Sequence, residues 1–555
     1  MNFLRRLLQP KPLPYDYATW VARPFPERVR MVCRVWATQG FGAPPAVLLF
    51  YVLKIGFYVW MWLVFCSFST ELGSLDTLGA WWFRLEALGK GILWTVLMEV
   101  LGWGGASGPL TARYVPPVGG ATYWLVPGTL RSPVFAWLGD RRTRFDVLTY
   151  AVLLGALLYA CCAPAVTPRT VAPVLLLLPL LGLRDRTIFL AARADVYYPA
   201  LLVFLVPAET GGGLQITWFA IWFWAAFSKL TPTFTSVVAV MICNSPFLNF
   251  PWLKRHLFRR YPDDLRLGRT AVYLSHFGTL VEFSLPVLLL LGLLFGWSPA
   301  WTTAFLIGMT VFHAFIFFNF PMGVPMEWNV LMVYGGWVLF GTQPAFSPLD
   351  VQHPLLLGFL GVSLVGLPLL GNLFPRYISF LLSMRYYAGT WPFSVWLFKR
   401  GTKLEKLDPY IRKTSPDLRR QLRYLYDQRT VDSILSRAIA FRLMHLPSRV
   451  LHSLFPQAVE NMDDYVWFDG EFLAGEVLGW NFGDGHLHQE VLLNALRKRC
   501  PFAPGDVRVL MVESPQLHNG RMHWRIHDGC EGLLAEGSAH IRDLRDRQPW
   551  PPVGR

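Results

Sequence analysis

The chain has few charged residues for its length. Of its 555 residues, 16% are charged and 53% are hydrophobic, whereas soluble domains carry about 25% charged residues. The deficit falls on residues 46–400, while residues 401–555 have the composition of an ordinary soluble domain. This pattern excludes a wholly soluble protein and predicts a large membrane region followed by a smaller water-soluble part.

Cysteine is also scarce, and several catalytic signatures are missing. The seven cysteines are scattered, with no Cys-x-x-Cys pair and no zinc-ligand spacing. No phosphate-binding loop ending in Gly-Lys-Ser/Thr, no Gly-x-Ser-x-Gly nucleophile elbow and no Asp-rich transferase motif occurs. The sequence therefore identifies no cofactor, which stays unknown.

Acidic residues are outnumbered, 36 against 51 basic ones. The basic residues concentrate in alternate loops between apolar runs, as in cytoplasmic loops, and the intervening loops contain only Arg84 and Arg169. No nucleic-acid-binding motif accompanies the charge, so no nucleic-acid partner is expected. The alternation predicts a multi-pass protein of the cell (inner or plasma) membrane, with the lipid bilayer as its partner and both termini in the cytoplasm.

Long apolar runs are abundant. A membrane-spanning helix needs about 20 mostly apolar residues, and the runs predict ten spans. They lie at 46–66, 87–105, 146–163, 171–183, 196–208, 214–230, 271–296, 299–319, 328–342 and 354–374. The expected fold is an all-α polytopic membrane bundle of about ten transmembrane helices with a small C-terminal α+β soluble domain.

The expected organisation has four parts. A basic cytoplasmic segment (1–45) precedes the transmembrane helical domain (46–375), interfacial or linker helices (376–460) and a cytoplasmic α+β domain (461–555). In the last part, Asp469-Gly470 and Asn519-Gly520 predict two hairpin turns. A helix is expected over 489–499 and a last strand over 533–541.

Ionisable residues inside spans are costly and usually face the bundle interior. Lys229 ends the aromatic run that begins at Trp218, Glu282 lies about eleven residues into its span, and His313 lies in the following span. For Lys229 two interpretations stand: the ammonium reaches the interface along its four-carbon stem, or it points into the bundle as a base. Glu282 and His313 either fix helix packing through hydrogen bonds or orient and relay protons.

The order of three segments resembles a known membrane core. They are Ala225-Ala-Phe-Ser-Lys-Leu-Thr-Pro-Thr-Phe234, Gly278-Thr-Leu-Val-Glu-Phe-Ser-Leu-Pro286 and Val311-Phe-His-Ala-Phe-Ile. Residues 145–345 are thereby similar to the transmembrane core of vitamin K-dependent gamma-carboxylases and their bacterial relatives, the horizontally transferred transmembrane domain. The resemblance implies that Lys229 is a base toward a quinol, with Glu282 and His313 in the later helices. The carboxylase has a large lumenal domain for its protein substrate, whereas the C-terminal part of this chain is small and expected in the cytoplasm, so peptide carboxylation is not expected.

Two further segments resemble an uncharacterised, mainly actinobacterial family of multi-spanning membrane proteins of unknown function. They are Leu125-Val-Pro-Gly-Thr-Leu-Arg-Ser-Pro133 and Gly479-Trp-Asn-Phe-Gly-Asp-Gly-His-Leu-His488. In the second segment, Asp484, His486 and His488 form a candidate metal site. The alternative is that Asp484 caps a helix that begins there, in which case the two histidines point to different faces.

Two functions follow from these observations. The first is a membrane enzyme that acts on a lipid-soluble substrate, a quinone or an isoprenoid lipid, with catalytic Lys229, Glu282 and His313. The second is a non-enzymatic lipid or solute transporter, or a membrane scaffold whose C-terminal domain binds a protein partner.

Overall fold

The structure is a computed structural model that describes residues 3–104, 119–319, 326–341, 346–386, 388–401, 407–411, 414–480 and 485–552. Most of the described chain is helical. The α-helices before residue 250 are Phe3–Leu8, Tyr17–Val21, Phe25–Gln39, Ala46–Ser67, Leu78–Trp81, Leu85–Leu101, Gly119–Trp124, Arg144–Cys162, Pro168–Arg184, Arg186–Ala191, Ala194–Leu202, Thr210–Phe227 and Phe234–Asn244. Those after residue 250 are Pro251–Leu257, Arg269–Leu294, Pro299–Asn319, Met326–Gly336, Pro354–Gly361, Leu367–Leu373, Asp408–Ile411, Leu418–Arg423, Gln428–Met444, Leu451–Ala458, Gly470–Leu478, Gly485–Arg497 and Ile541–Leu544.

Five helices in the described residues are long and apolar enough to cross a membrane. They are Ala46–Ser67, Arg144–Cys162, Arg269–Leu294, Pro299–Asn319 and Pro354–Leu373, the last containing a π-helical turn at Val362–Gly366. Most of their residues are not buried within the bundle, as expected for helices whose outer surfaces contact lipid. The fold is therefore a membrane helical bundle with a small sheet, and the predicted count of about ten spans is not confirmed.

The other predicted spans are shorter helices, and some of them are enclosed by neighbouring helices. Leu85–Leu101 has 17 residues, and 15 of them are buried. Its Lys90 is fully buried and donates hydrogen bonds to the carbonyl oxygens of Cys161 and Ala163 at the end of helix Arg144–Cys162. A cation at a helix C-terminus is stabilised by the helix dipole. Apolar sequence in this segment therefore forms protein core, which hydropathy cannot tell from a lipid-facing span.

Seven β-strands complete the described fold. β1 (Phe258–Arg260) and β2 (Asp264–Leu267) form an antiparallel pair between two helices of the bundle. The other strands are β3 (Phe393–Lys399), β4 (Tyr465–Asp469), β5 (Val507–Val512), β6 (Arg521–Asp528) and β7 (Gly532–His540). They form one antiparallel sheet in the order β4-β3-β5-β6-β7.

The middle of this sheet is covered on both faces. In β3, Phe393, Val395 and Leu397 pack with the N-terminal helix Phe25–Gln39 and helix Gln428–Met444. The alternate residues Trp396 and Phe398 pack with helices Gly470–Leu478 and Gly485–Arg497. Because successive side chains of a strand point to opposite faces, this double burial explains why β3 is continuously apolar.

The sheet differs from the sequence expectation in two places. Its second strand, β3, lies within 376–460, where only interfacial or linker helices were expected. The turn at Asp469-Gly470 is also not a hairpin, so that prediction is wrong: Asp469 ends β4 and is the N-cap of helix Gly470–Leu478, its carboxylate accepting from the Glu471 backbone N–H. The Asn519-Gly520 hairpin is confirmed. The helix predicted over 489–499 is observed as Gly485–Arg497, and the strand predicted over 533–541 as Gly532–His540.

The N-terminal segment and the C-terminal residues share one core. Trp20, Val29 and Trp36 pack in the same cluster as Ile541 and Trp550. Residues from Ala239 to Ala271, between two membrane-capable helices, belong to it as well. Both ends of the chain, and this middle segment, therefore lie on the same side of the bundle.

Candidate functional site

Lys229 follows the end of helix Thr210–Phe227, where the chain turns into helix Phe234–Asn244. Its side chain is 7% exposed, and its Nζ atom forms an ion pair with the Glu282 carboxylate. The same Nζ lies 5.6 Å from the centroid of the Phe234 ring. The ammonium therefore points into the bundle, and the interface-reaching interpretation does not describe its position.

Glu282 is presented by one face of helix Arg269–Leu294. The buried residues of that helix recur every three or four positions and include Ser275, Thr279, Glu282 and Pro286, the spacing of a single helix face. The hydroxyls of Ser275 and Thr279 donate to carbonyl oxygens of their own helix, at 2.6 Å and 2.9 Å. Both hydroxyls are therefore hydrogen-bonded within their own helix. Glu282 is the residue of this stripe that forms an ion pair with Lys229 on another segment.

His313 lies on the next helix, Pro299–Asn319, and is 6% exposed. Its Nδ1 is 2.9 Å from the side-chain oxygen of Asn329. With an amide oxygen as its acceptor, Nδ1 carries the hydrogen, and Nε2 is left with a lone pair. The centroid of its ring lies 6.5 Å from that of Trp222 on helix Thr210–Phe227, so the histidine packs against the helix that Lys229 follows.

Two buried acceptor atoms of this group have no hydrogen-bond donor in the described part of the chain. They are Oε2 of Glu282 and Nε2 of His313. Buried polar atoms are almost always hydrogen-bonded in folded proteins. A pair of unsatisfied acceptors near a buried lysine matches the chemistry of a site that takes a hydroxyl or another proton donor.

A second lysine–glutamate pair, in which only the glutamate is fully buried, was not predicted from the sequence. Lys54, on helix Ala46–Ser67, has its Nζ 3.3 Å from the Glu327 carboxylate, and the Glu327 side chain is fully buried. Lys54 could have been identified as a candidate from the sequence, since it is a charged residue inside the first predicted span. Glu327 could not be assigned to it because the two residues are 273 positions apart in sequence.

The start of helix Met326–Gly336 joins the two pairs. Glu327 contacts Lys54, and Asn329 contacts His313. Between them, the Trp328 ring lies 4.3 Å from the guanidinium of Arg193, which pairs with Asp195 at 3.4 Å. Three successive residues thus contact three different polar side chains, because neighbouring helix positions point about 100° apart.

Comparison with known families agrees with the membrane bundle. Residues 5–555 match the family described as "Transmembrane protein of unknown function (DUF3556)". The chain belongs to this family. No curated protein and no solved structure matches it.

The candidate metal site in this DUF3556 protein lies mostly beyond the structural description. Asp484 is outside the described residues, and His486 and His488 lie two positions apart near the start of helix Gly485–Arg497. Among the described residues, no group of three or more His, Cys, Asp or Glu side chains is arranged to hold a metal. The metal assignment stays a prediction.

The sheet contains a charged cluster of its own. Arg525 on β6 pairs with Glu513 at 2.9 Å and also with Glu490 on helix Gly485–Arg497. Burial raises the pKa of Glu513 to about 7, although Arg525 acts to lower it. Burial also lowers the pKa of the nearby His527. The cluster therefore changes charge near neutral pH.

Proposed function

We propose that this protein is a membrane enzyme that acts on a lipid-soluble substrate, a quinone or an isoprenoid lipid, with Lys229 as the base. The observation that carries the proposal is the buried Lys229–Glu282 ion pair. Ionisable side chains inside a membrane bundle are expensive and mark functional sites. The similarity of residues 145–345 to the gamma-carboxylase core supports the same choice of base.

The pair gives lysine a way to become a base inside an apolar bundle. Transfer of one proton from Lys229 Nζ to the Glu282 carboxylate converts two charges into a neutral amine and a carboxylic acid. The net charge of the bundle does not change, so the transfer avoids the desolvation cost of an isolated charge. The amine then accepts a proton from a substrate hydroxyl, while His313 Nε2 accepts a hydrogen bond from the substrate or relays a proton.

The site lies one helix away from the lipid-facing surface of the bundle. Glu282 lies on the inner face of helix Arg269–Leu294, whose outer face exposes Tyr273, Phe277 and Leu280, each more than 60% exposed. The substrate therefore needs to pass a single helix layer to reach the pair. The basic loops together with the shared core of both termini favour a cytoplasmic location for the sheet and the N-terminal segment.

The decisive experiment replaces the lysine in a deletion strain. Lys229→Ala, Lys229→Arg and Glu282→Gln are each expressed at wild-type level, and the cellular lipids and quinones are profiled by mass spectrometry. The proposal expects that none of the three restores the wild-type profile. Lys54→Met is the matched control, since Lys54 is the mostly enclosed lysine of the other pair, and this variant is expected to restore the profile. Full restoration by both Lys229 variants would remove the lysine from the chemistry.

A second candidate function, a proton-coupled transporter, is favoured by the existence of two lysine–glutamate pairs on different helices. Chains of buried ionisable groups are typical of proton pathways. In proteoliposomes containing a pH-sensitive dye, a transporter acidifies or alkalinises the lumen when its solute is supplied. Loss of that signal in both Lys54→Met and Lys229→Met, with no altered lipid profile in cells, would favour transport over catalysis.

A further inference from the structure

The loop that precedes helix Arg144–Cys162 exposes three large apolar side chains in a row of four residues. Trp137 is 80% exposed, Phe135 is 47% exposed and Val134 is 45% exposed. The rings of Phe135 and Trp137 are stacked, with their centroids 6.0 Å apart. A contiguous apolar patch on a surface marks contact with a membrane or with another molecule.

The two helices beside this loop place it at the membrane surface. Helix Arg144–Cys162 is apolar and long enough to cross a membrane, and its exposed side begins at Phe145, which is 52% exposed. Helix Pro168–Arg184 ends next to it, with Leu183 46% exposed. The carbonyl oxygen of Leu183 accepts from the Val134 backbone N–H at 3.0 Å. The exposed rings therefore lie where the lipid-facing surface of the bundle ends.

The loop lies on the side of the bundle that contains the five-stranded sheet. Leu130 is buried in the same core as Trp396 of β3. The Asp140 carboxylate pairs at 2.5 Å with Arg499, which follows helix Gly485–Arg497. The basic loops favour a cytoplasmic location for this side. The cytoplasmic leaflet carries the anionic lipids that attract basic segments at the membrane surface.

Positive charge exceeds negative charge around the exposed rings. Residues 131–146 and 183–186 contain six arginines and three aspartates. All three aspartates are paired: Asp140 with Lys498 and Arg499, Asp146 with Arg131 and Arg184, and Asp185 with Arg142. Since Lys498 and Arg499 add two further cations, the excess remains after every carboxylate of these two segments has been matched.

Arg141 and Arg144 supply this excess. Both are exposed, and neither pairs with a carboxylate in the part of the chain that the structure describes. Two buried arginines hold the backbone around them: Arg131 donates to the carbonyl oxygen of Gly139 at 3.1 Å, and Arg142 donates to that of Tyr123 at 3.1 Å. The exposed arginines are thus presented by a loop whose course is fixed by hydrogen bonds.

We propose that this loop binds an anionic phospholipid of the bilayer. Arg141 and Arg144 hold the phosphate of its head group, and the stacked rings of Phe135 and Trp137 lie at the boundary with the acyl chains. Aromatic rings favour that level of the membrane, and the planar N–H donors of arginine match phosphate oxygens. Exposure of both arginines suits this partner, because a head group reaches them along the membrane surface. The assignment does not depend on the function proposed for Lys229.

The binding test uses the full chain in nanodiscs of phosphatidylcholine that contain a minority of phosphatidylglycerol. Native mass spectrometry counts the lipids that stay bound after release from the disc, and the wild-type protein is expected to retain phosphatidylglycerol in preference. Arg141→Gln/Arg144→Gln is expected to lower this preference roughly 25-fold, from the contribution of each basic residue to binding an anionic surface. A wild-type preference in this double variant would overturn the proposal.

A matched control separates this loop from the net charge of the protein. Arg429→Gln/Arg521→Gln removes the same charge from two exposed arginines, on helix Gln428–Met444 and on β6, and is expected to keep the wild-type preference. An equal fall in both double variants would contradict the assignment. Arg141→Lys/Arg144→Lys keeps both charges and is expected to retain most of the preference, which separates lost binding from lost folding. Lys229→Ala is expected to bind lipid normally.

Cysteine labelling tests whether the rings enter the membrane. Trp137→Cys is made in a Cys530→Ser background, because Cys530 is the exposed native cysteine. Glu536→Cys on β7, also an exposed position, is the control in the same background. In nanodiscs a membrane-impermeant maleimide is expected to label position 137 about tenfold more slowly than position 536, since lipid covers the first. Equal rates in nanodiscs would overturn the lipid assignment and leave the rings to a protein partner.

Discussion

The Nζ atom of Lys229 pairs with the carboxylate of Glu282 from 53 positions away in sequence, and both side chains are more than nine-tenths buried. The pair fastens the end of helix Thr210–Phe227 to the middle of helix Arg269–Leu294. It therefore has a role in stability that is separate from any role in chemistry, and the two roles are measured by different variants.

Removing either Lys229 or Glu282 alone is expected to lower the free energy of unfolding more than removing both. Lys229→Met leaves a buried carboxylate without its cation, which costs about 3–5 kcal/mol. The double variant Lys229→Met/Glu282→Leu replaces both charges with apolar groups, and most of that loss is expected to return. Thermal unfolding in detergent, followed by helix signal, measures the difference. A double variant less stable than Lys229→Met would show that the pair does not behave as an isolated buried ion pair.

The second prediction concerns Asp469, which is both the N-cap of helix Gly470–Leu478 and the partner of the buried Arg442. Asp469→Ala removes the cap and strands a buried cation, so a loss of about 3 kcal/mol is expected. Asp469→Asn keeps an oxygen for the cap and is expected to lose less. Asp417→Ala is the control, because Asp417 is a half-buried N-cap and costs about 1 kcal/mol. Equal losses in all three variants would count against this explanation.

Stability is expected to depend on pH through Glu513. Its pKa is raised from 4.5 to about 7 by burial in the folded sheet. Between these values the folded protein holds a proton that the unfolded chain releases, so stability falls as pH rises from about 4.5 to 7. The contribution is roughly 3 kcal/mol. Glu513→Gln is expected to remove this part of the pH dependence, whereas the exposed Glu536→Gln on β7 keeps it, as measured by melting temperature at pH 5 and pH 8.

The fourth prediction tests close helix packing in the bundle. A methyl group added at Gly335 meets the ring of Trp218, whereas one added at Gly358 meets nothing within 4 Å. Gly335→Ala is therefore expected to destabilise by about 1–3 kcal/mol. Gly358→Ala is expected to be neutral or to stabilise slightly through higher helix propensity. The comparison of their melting temperatures is decisive, because a matching effect at both positions would rule out the Trp218 contact as the cause.

The shared core also predicts topology. Residues up to Ala271 and the sheet lie on one side, so an even number of crossings must separate them. Three membrane-capable helices lie in that interval, so this arrangement requires a fourth crossing, which we assign to the shorter helical segment Met326–Gly341. Ser298→Cys and Leu349→Cys are therefore expected to react with a membrane-impermeant maleimide from the side opposite to Cys530, an exposed cysteine of the sheet region. Labelling of Leu349→Cys from the Cys530 side would contradict this arrangement.

Much of the bundle could be predicted because apolar length and loop charge are local signals. A helix occupies most of each predicted span, and the Ser275–Thr279–Glu282 stripe faces protein as its spacing indicates. The partners could not be predicted, since Glu282 and Glu327 meet their lysines across long stretches of chain. The burial of helix Leu85–Leu101 by other helices could not be predicted either, because an apolar helix surrounded by protein has the same composition as one surrounded by lipid.

The central position of β3 governs the order in which this protein can be assembled. β3 pairs with β4 on one edge and β5 on the other, yet it is synthesised directly after the last membrane-capable helix. Its backbone hydrogen bonds to β4 and β5 can form only after both strands have been synthesised. Helices Leu418–Arg423 and Gln428–Met444 are synthesised before β4. A fragment that begins at residue 401 lacks β3. In such a fragment β4 and β5 have lost the strand that lies between them and pairs with both.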